Sequence, residues 1–266
     1  MTYSSDQLSQ LDAAYREWAD RSDDLTTAIL TRAFATERAK EFAEHGFSRR
    51  LNMLQHCLDR VFASVPPDDR QPGRLALMDA TAFIQTFVVN IYGAIDNLAH
   101  IWCIECDVRD HQGRPLAPMR IGLTPKSDVL RNSLPHDLQT YLAGHDEWFA
   151  YLEGYRHALA HRIPLYIPPR QLGPAAQEEF AALEAARSAA ATDRDWRRFG
   201  ELGVDQEHVG VFEPYIMHSF GEEAHPMRFH GQLICDLATV VEIGERLLRA
   251  LDAVIGDSDH DRRSRA

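Results

Sequence analysis

The sequence predicts an all-α bundle with a small β-hairpin annex, and three observations lead there. Amphipathic stripes at helical spacing recur along most of the 266 residues. One long stretch, from Arg74 to about Cys106, is apolar on most faces and reads as a central buried helix. Strand-like runs are confined to two short segments, one flanked by prolines and one interrupted by a proline.

Taken in order, Leu8, Leu11, Ala14, Tyr15 and Trp18 follow Ser4 and Ser5 at helical spacing and predict a first helix to about Asp20. A second is expected from Asp24 to Glu44. Past Gly46, the series Phe47, Leu51, Leu54, Leu58, Val61, Phe62 and Val65 makes a third, stopped by Pro66-Pro67. The central helix follows. Residues 107–135 are rich in proline, glycine and charge and read as an extended excursion, and long loops in compact domains are often functional. Short helices are expected over His136–Ala143 and His145–His161. Leu165-Tyr166-Ile167 and Val211–Met217 are the expected strand partners, with a peripheral helix from Pro174 to about Gly200 between them. A last helix runs from Met227 to about Ile255. The chain thus reads as a single helical-bundle domain over 1–256, with a disordered tail at 257–266.

The formal charge is −12, from 40 acidic against 28 basic side chains, so the average surface repels polyanions and any RNA contact must be local. Lys40 and Lys126 are the only lysines; so arginine-heavy a basic set reads as coding bias rather than phosphate recognition. The central stretch is interrupted by Thr81, Gln85, Thr86 and Asn90, which argues against a membrane span, and the N-terminal residues lack a basic-then-apolar leader pattern. A cytoplasmic protein with no membrane association is expected. Cys57, Cys103, Cys106 and Cys235 are too scattered for a disulfide framework.

The chemistry-bearing stretch is Tyr155-Arg156-His157-Ala158-Leu159-Ala160-His161-Arg162-Ile163-Pro164, where one arginine and two histidines crowd the end of a helix that the proline stops. Arginine offers a permanent planar cation matched to phosphate oxygens, and histidine both takes and gives a proton near neutrality. Spacing alone proves little, since roughly one Arg-x4-His pair is expected by chance. The other such pair, Arg131 with His136, encloses Pro135 and cannot lie on one regular helix. Arg49 and Arg50 with His56 are looser pairs on a core-facing helix.

Ala94-Ile95-Asp96-Asn97-Leu98-Ala99-His100 on the long helix, followed downstream by YRHALAHRIP, resembles the HEPN superfamily of helical bundles over roughly residues 74–164. Many members carry an Arg, a polar residue, and a His four to six positions beyond the Arg near a helix end, as Arg156, His157 and His161 do here. The resemblance implies a metal-independent endoribonuclease, often a toxin or antiviral effector, with Arg156 and His161 catalytic and no cofactor or metal.

Independently of family, cleaving RNA without a metal uses the 2′-hydroxyl as nucleophile and needs a proton acceptor, a proton donor and a cation for the phosphorane. Proton transfer of this kind contributes about 100- to 10,000-fold in rate. The helix C-terminus favours a protonated His161. A second shuttle is still required, from His157 or from His161 of a second subunit, which leads to a homodimer with a shared cleft. Asp96 and His100, four apart on the long helix, are expected to support Arg156, or to be a satisfied buried pair.

Alternatives stay open. Arg156 pairs with an acid and His161 caps the helix in a purely structural role, or the same fold binds RNA, a nucleotide or a protein partner without turnover. His157 and His161 share a face that suits zinc, without a third ligand in the sequence pattern; Cys103-Ile104-Glu105-Cys106, flanked by His100 and His111, reads first as packing.

Overall fold

The computed structural model describes residues 3–219 and 227–264, with side chains through Val254. It is mostly helical, built around α4 (Arg74–Glu105). Leu77, Ile84, Phe87, Ile91, Ile95, Leu98 and Trp102 are among its buried residues, and because they point to several sides of the axis, α4 must be wrapped rather than merely covered. The wrapping comes from α3 (Ser48–Ser64), α7 (Asp146–His161) and α10 (Phe229–Ser264). By length and composition α4 is also apolar enough to cross a membrane.

α1 (Ser5–Thr31) starts on a capping box, Ser4 with Gln7, as its sequence requires. It runs without the break expected near residues 20–24. That stretch contains neither glycine nor proline, and tertiary contacts hold it helical: Ser22 and Leu25 are buried, and Arg21 makes a two-pronged contact with Glu245 of α10 while stacking at 4.0 Å over Trp18. The interruption falls later, between Arg32 and Thr36. There Thr36 accepts the Ala39 N–H and caps α2 (Glu37–Lys40). α2 passes through a π-helical turn, Glu41–Phe47, directly into α3, so Gly46 does not end a helix. It makes room instead: a Cβ there would lie 2.9 Å from the Asn97 side chain of α4.

The 107–135 excursion is irregular, with a single bridge between Arg109 and Pro115, a 3-10 turn at Pro118–Arg120 and α5 (Asp128–Asn132). Leu116, Leu123, Leu130 and Leu134 anchor it in the core, and the Trp102 indole donates to Ser133 Oγ at 3.0 Å. α6 (His136–Ala143) then leads into α7.

The β annex differs from expectation in its pairing. Tyr166 bridges Met217 and Gln171 bridges Val211, each singly, whereas the ladder joins β1 (Tyr215–Ile216) antiparallel to β2 (Met227–Arg228). The expected single peripheral helix is two, α8 (Pro174–Thr192) and α9 (Trp196–Glu207). Between them Arg194 takes φ 59°, and Asp195 caps α9 by accepting the Arg198 N–H. α10 is helical through Ser264, over most of the stretch expected as a tail; Arg265 and Ala266 lie outside the described residues.

Two buried titratable groups on α10 fix its neighbours. Asp236, fully buried, accepts the Trp148 indole N–H at 2.9 Å and the Gln232 amide at 2.7 Å, which ties α7 to α10. Burial pushes its carboxyl up to about 7, against those two donors. His230, equally buried, lies 2.7 Å through Nε2 from the Val65 carbonyl at the end of α3 and 3.4 Å through Nδ1 from the Tyr3 hydroxyl. Those partners fit the Nε2–H tautomer, donating to the carbonyl and accepting from the phenol. Burial pulls this imidazole down to about 4.

The signs oppose. Asp236 favours folding when protonated, so its contribution is intact below about pH 4 and is lost as pH rises through about 7. His230 favours folding when neutral, so its contribution is present above about pH 6.5 and is lost as pH falls towards 4. Asp236→Asn is therefore expected to raise stability at pH 8, by on the order of 4 kcal/mol at most, and to expose a steeper loss of stability between pH 6.5 and 4. Denaturant midpoints of both proteins across pH 4–8 check this; an Asn variant no more stable than the parent at pH 8 counts against it.

Candidate functional site

α7 turns Phe149, Leu152, Tyr155 and Ala158 inward at helical spacing. Arg156, His157 and His161 are left exposed on its outer surface. The helix ends at His161, and Arg162, whose N–H still bonds the Ala158 carbonyl, leads out to Pro164.

Arg156 is exposed but not adrift. Its guanidinium sits 4.1 Å over the ring of Tyr92 on α4, a cation–π contact that fixes the cation while leaving it open to solvent. Asp96 lies one turn further along α4. Burial raises its carboxyl above the ordinary range, and Arg156 and then Arg50 pull it back, so the carboxylate lies in the field of two guanidiniums. Burial and the Asp96 charge likewise raise the Tyr92 phenol, with Arg156 opposing.

His157 and His161 stand one turn apart with near-perpendicular rings 6.4 Å between centroids. His157 Nε2 lies 3.9 Å from Glu153, which is itself held by Lys126 of the excursion at 2.6 and 2.8 Å. At 3.6 residues per turn, His157 and His161 are about 40° apart around the α7 axis, whereas Arg156 and His161 are about 140° apart. The two imidazoles thus share a face. Arg156 is directed instead to Tyr92 and Asp96.

His100 belongs to different surroundings. It stacks flat on Phe42 with centroids 4.4 Å apart, and the Arg38 guanidinium lies 4.5 Å over that same Phe42 ring. Burial first and Arg38 second lower its basicity. Of the remaining chance pairs, Arg131 forms a 2.7 Å ion pair with Asp146 and His56 meets Phe83 edge-on. Burial raises the Cys103 and Cys106 thiols, Cys106 to about 11. Among the described residues no three His, Cys, Asp or Glu side chains converge as a metal site.

Two residues that no sequence motif marks join the site: Tyr92 of α4, on which Arg156 rests, and Arg50 of α3, whose pairing with His56 the structure does not use. Arg50 reaches across from α3 and donates to Asn97 at 3.1 Å and Asn90 at 3.2 Å. It lies flat over Gly93, where a Cβ would come within 2.3 Å of the guanidinium carbon. Asn90, Gly93 and Asn97 recur at helical spacing on an otherwise apolar helix, and that polar stripe was the available signal. Comparison with models of known families, with curated proteins and with solved structures returned no match to this chain.

Adding a methyl at Gly93 must move Arg50, a long side chain whose displacement forfeits two hydrogen bonds worth about 1 kcal/mol each, while the helix gains about 1 kcal/mol over glycine. Gly93→Ala alone should change stability by no more than about 1 kcal/mol. In an Arg50→Ala background the same change should stabilise by up to about 1 kcal/mol. Chemical denaturation of the four proteins of this cycle measures the coupling, and strict additivity would mean that Gly93 is not reserved for Arg50.

Proposed function

We propose that the protein is a HEPN-like metal-independent endoribonuclease in which Arg156 stabilises the phosphorane and His161 transfers the proton. The observation that carries this reading is the presentation of Arg156: a guanidinium pinned on Tyr92, beside Asp96, and still open to solvent at the helix end that also exposes His157 and His161. A fixed, accessible cation is what a charged transition state requires, because its orientation is settled before the reaction begins. Asp96 and Tyr92 act here as positioning residues. His157, held near Glu153, supports His161, while His100 belongs with Phe42.

The angular separation of Arg156 from His161 favours a cleft shared between two copies of the chain, with the arginine of one facing the imidazoles of its partner. α4 leaves an apolar stripe on the same side of the bundle: Leu75, Met78 and Val89 are 75%, 58% and 51% exposed, one of them three residues before Tyr92. A second copy seated there brings two such sites together. The protein in this reading is a cytoplasmic homodimer, and toxin or antiviral activity is a consequence of unrestrained cleavage.

Incubation of the purified protein with RNA in excess chelator is expected to give cleavage that His161→Ala and Arg156→Ala each reduce at least 100-fold. Tyr92→Leu should cost about tenfold through the loss of a cation–π contact of roughly 0.5–2 kcal/mol. RNA that is bound but uncut, with binding lost in Arg156→Ala, would establish the non-catalytic module of the same fold instead. Val89→Asp with Met78→Asp should convert a dimer to a monomer in sedimentation and abolish cleavage; a parent protein that sediments as a monomer contradicts the shared cleft.

A further inference from the structure

Between the start of α4, the segment following α7 and the α8–α9 hairpin lies a cavity of about 680 Å³, within the range of small-molecule sites. Three arginines line it, Arg74, Arg170 and Arg187, against one carboxylate, Glu207, in a chain whose net charge is −12. So local a positive excess on an acidic protein marks the cavity for an anion.

The cations are partly held in place. Arg170 Nε donates to the Glu207 carbonyl at 2.8 Å. Arg187 Nη1 donates to Gln206 at 2.9 Å, Gln206 donates in turn to Glu184 at 2.6 Å, and the Arg187 guanidinium lies 4.3 Å over the Phe199 ring. Arg74 opens α4 directly after Gly73, so the positive end of a 32-residue helix dipole adds to the same wall. The rest of the lining is different in kind. Leu77, buried, and Phe180, half-buried, offer an apolar floor and an aromatic face.

We propose that this cavity binds a small phosphate monoester carrying a planar ring, with the guanidiniums on the phosphate and Phe180 and Leu77 against the ring. Guanidinium forks match phosphate oxygens two at a time, and an aromatic wall beside them rewards a ligand that has both halves. Arg74 and Asp96 are separated by roughly 30 Å along α4, so this site is distinct from the one at Arg156.

Calorimetric titration of the full chain tests the proposal, with adenosine 5′-monophosphate as the probe and adenosine and inorganic phosphate as its two halves. The monophosphate is expected to bind at least tenfold more tightly than either half, and less tightly as salt is raised. Arg74→Glu and Arg170→Ala are each expected to weaken it at least tenfold, Phe180→Ala to bring it towards the affinity of inorganic phosphate, and Arg156→Ala to leave it unchanged. Failure of the adenosine, guanosine and cytidine monophosphates alike to bind overturns the proposal. So does binding that neither Arg74→Glu nor Arg170→Ala alters, or that Arg156→Ala abolishes.

Discussion

Everything in this fold answers to the burial of α4. Each large aliphatic or aromatic side chain taken fully out of water contributes about 1.5–3 kcal/mol, and α4 presents such residues over most of its circumference from Leu77 to Trp102. The exposed ion pairs, such as Arg16 with Asp12 or Arg197 with Glu201, contribute at most about 1 kcal/mol each. The arrangement of α3, α7 and α10 is therefore set by what they cover, and the surface charges follow.

The parts of α4 that are not apolar acquire their meaning from that constraint. Asn90, Gly93 and Asn97 form a polar strip where Arg50 can lie flat between two helices, and Tyr92 with Asp96 form the next strip, where Arg156 docks. A guanidinium suits such seams, because its stem packs and its planar head stacks or donates without being fully desolvated. Asp96 sits between the two and feels both, which places one carboxylate at the centre of the polar ground on the central helix. The proposed chemistry occupies the rim of the same seam.

α10 bears two buried titratable groups whose proton demands run in opposite directions. Asp236 fastens α7 through Trp148, and His230 fastens the end of α3 at Val65. One is most favourable in acid and the other near neutrality, so their pH dependences offset through the window in which both titrate. The helix that carries Arg156, His157 and His161 is thus held from behind by a polar network and in front by a cation–π contact.

Periodicity alone determined the helical class, the extent of α4, α6 and α7 to within a residue or two, and the crowding of Arg156, His157 and His161 at a helix end stopped by Pro164. These are local properties, fixed by spacing and by proline. Where local signals were weak, tertiary contacts overrode them: the salt link from Arg21 to Glu245 carried α1 past residue 24, and the annex ladder drew its second strand from Met227–Arg228, the stretch expected to open the last helix. Side-chain company was decided by the tertiary structure alone. Asp96 and His100 lie four apart on one helix, yet the first faces Arg156 and Arg50 and the second stacks on Phe42, because α3, α7 and the π-helical turn approach different sides of α4. A one-dimensional pattern states which face a residue occupies; only the packing of separate helices states what that face meets.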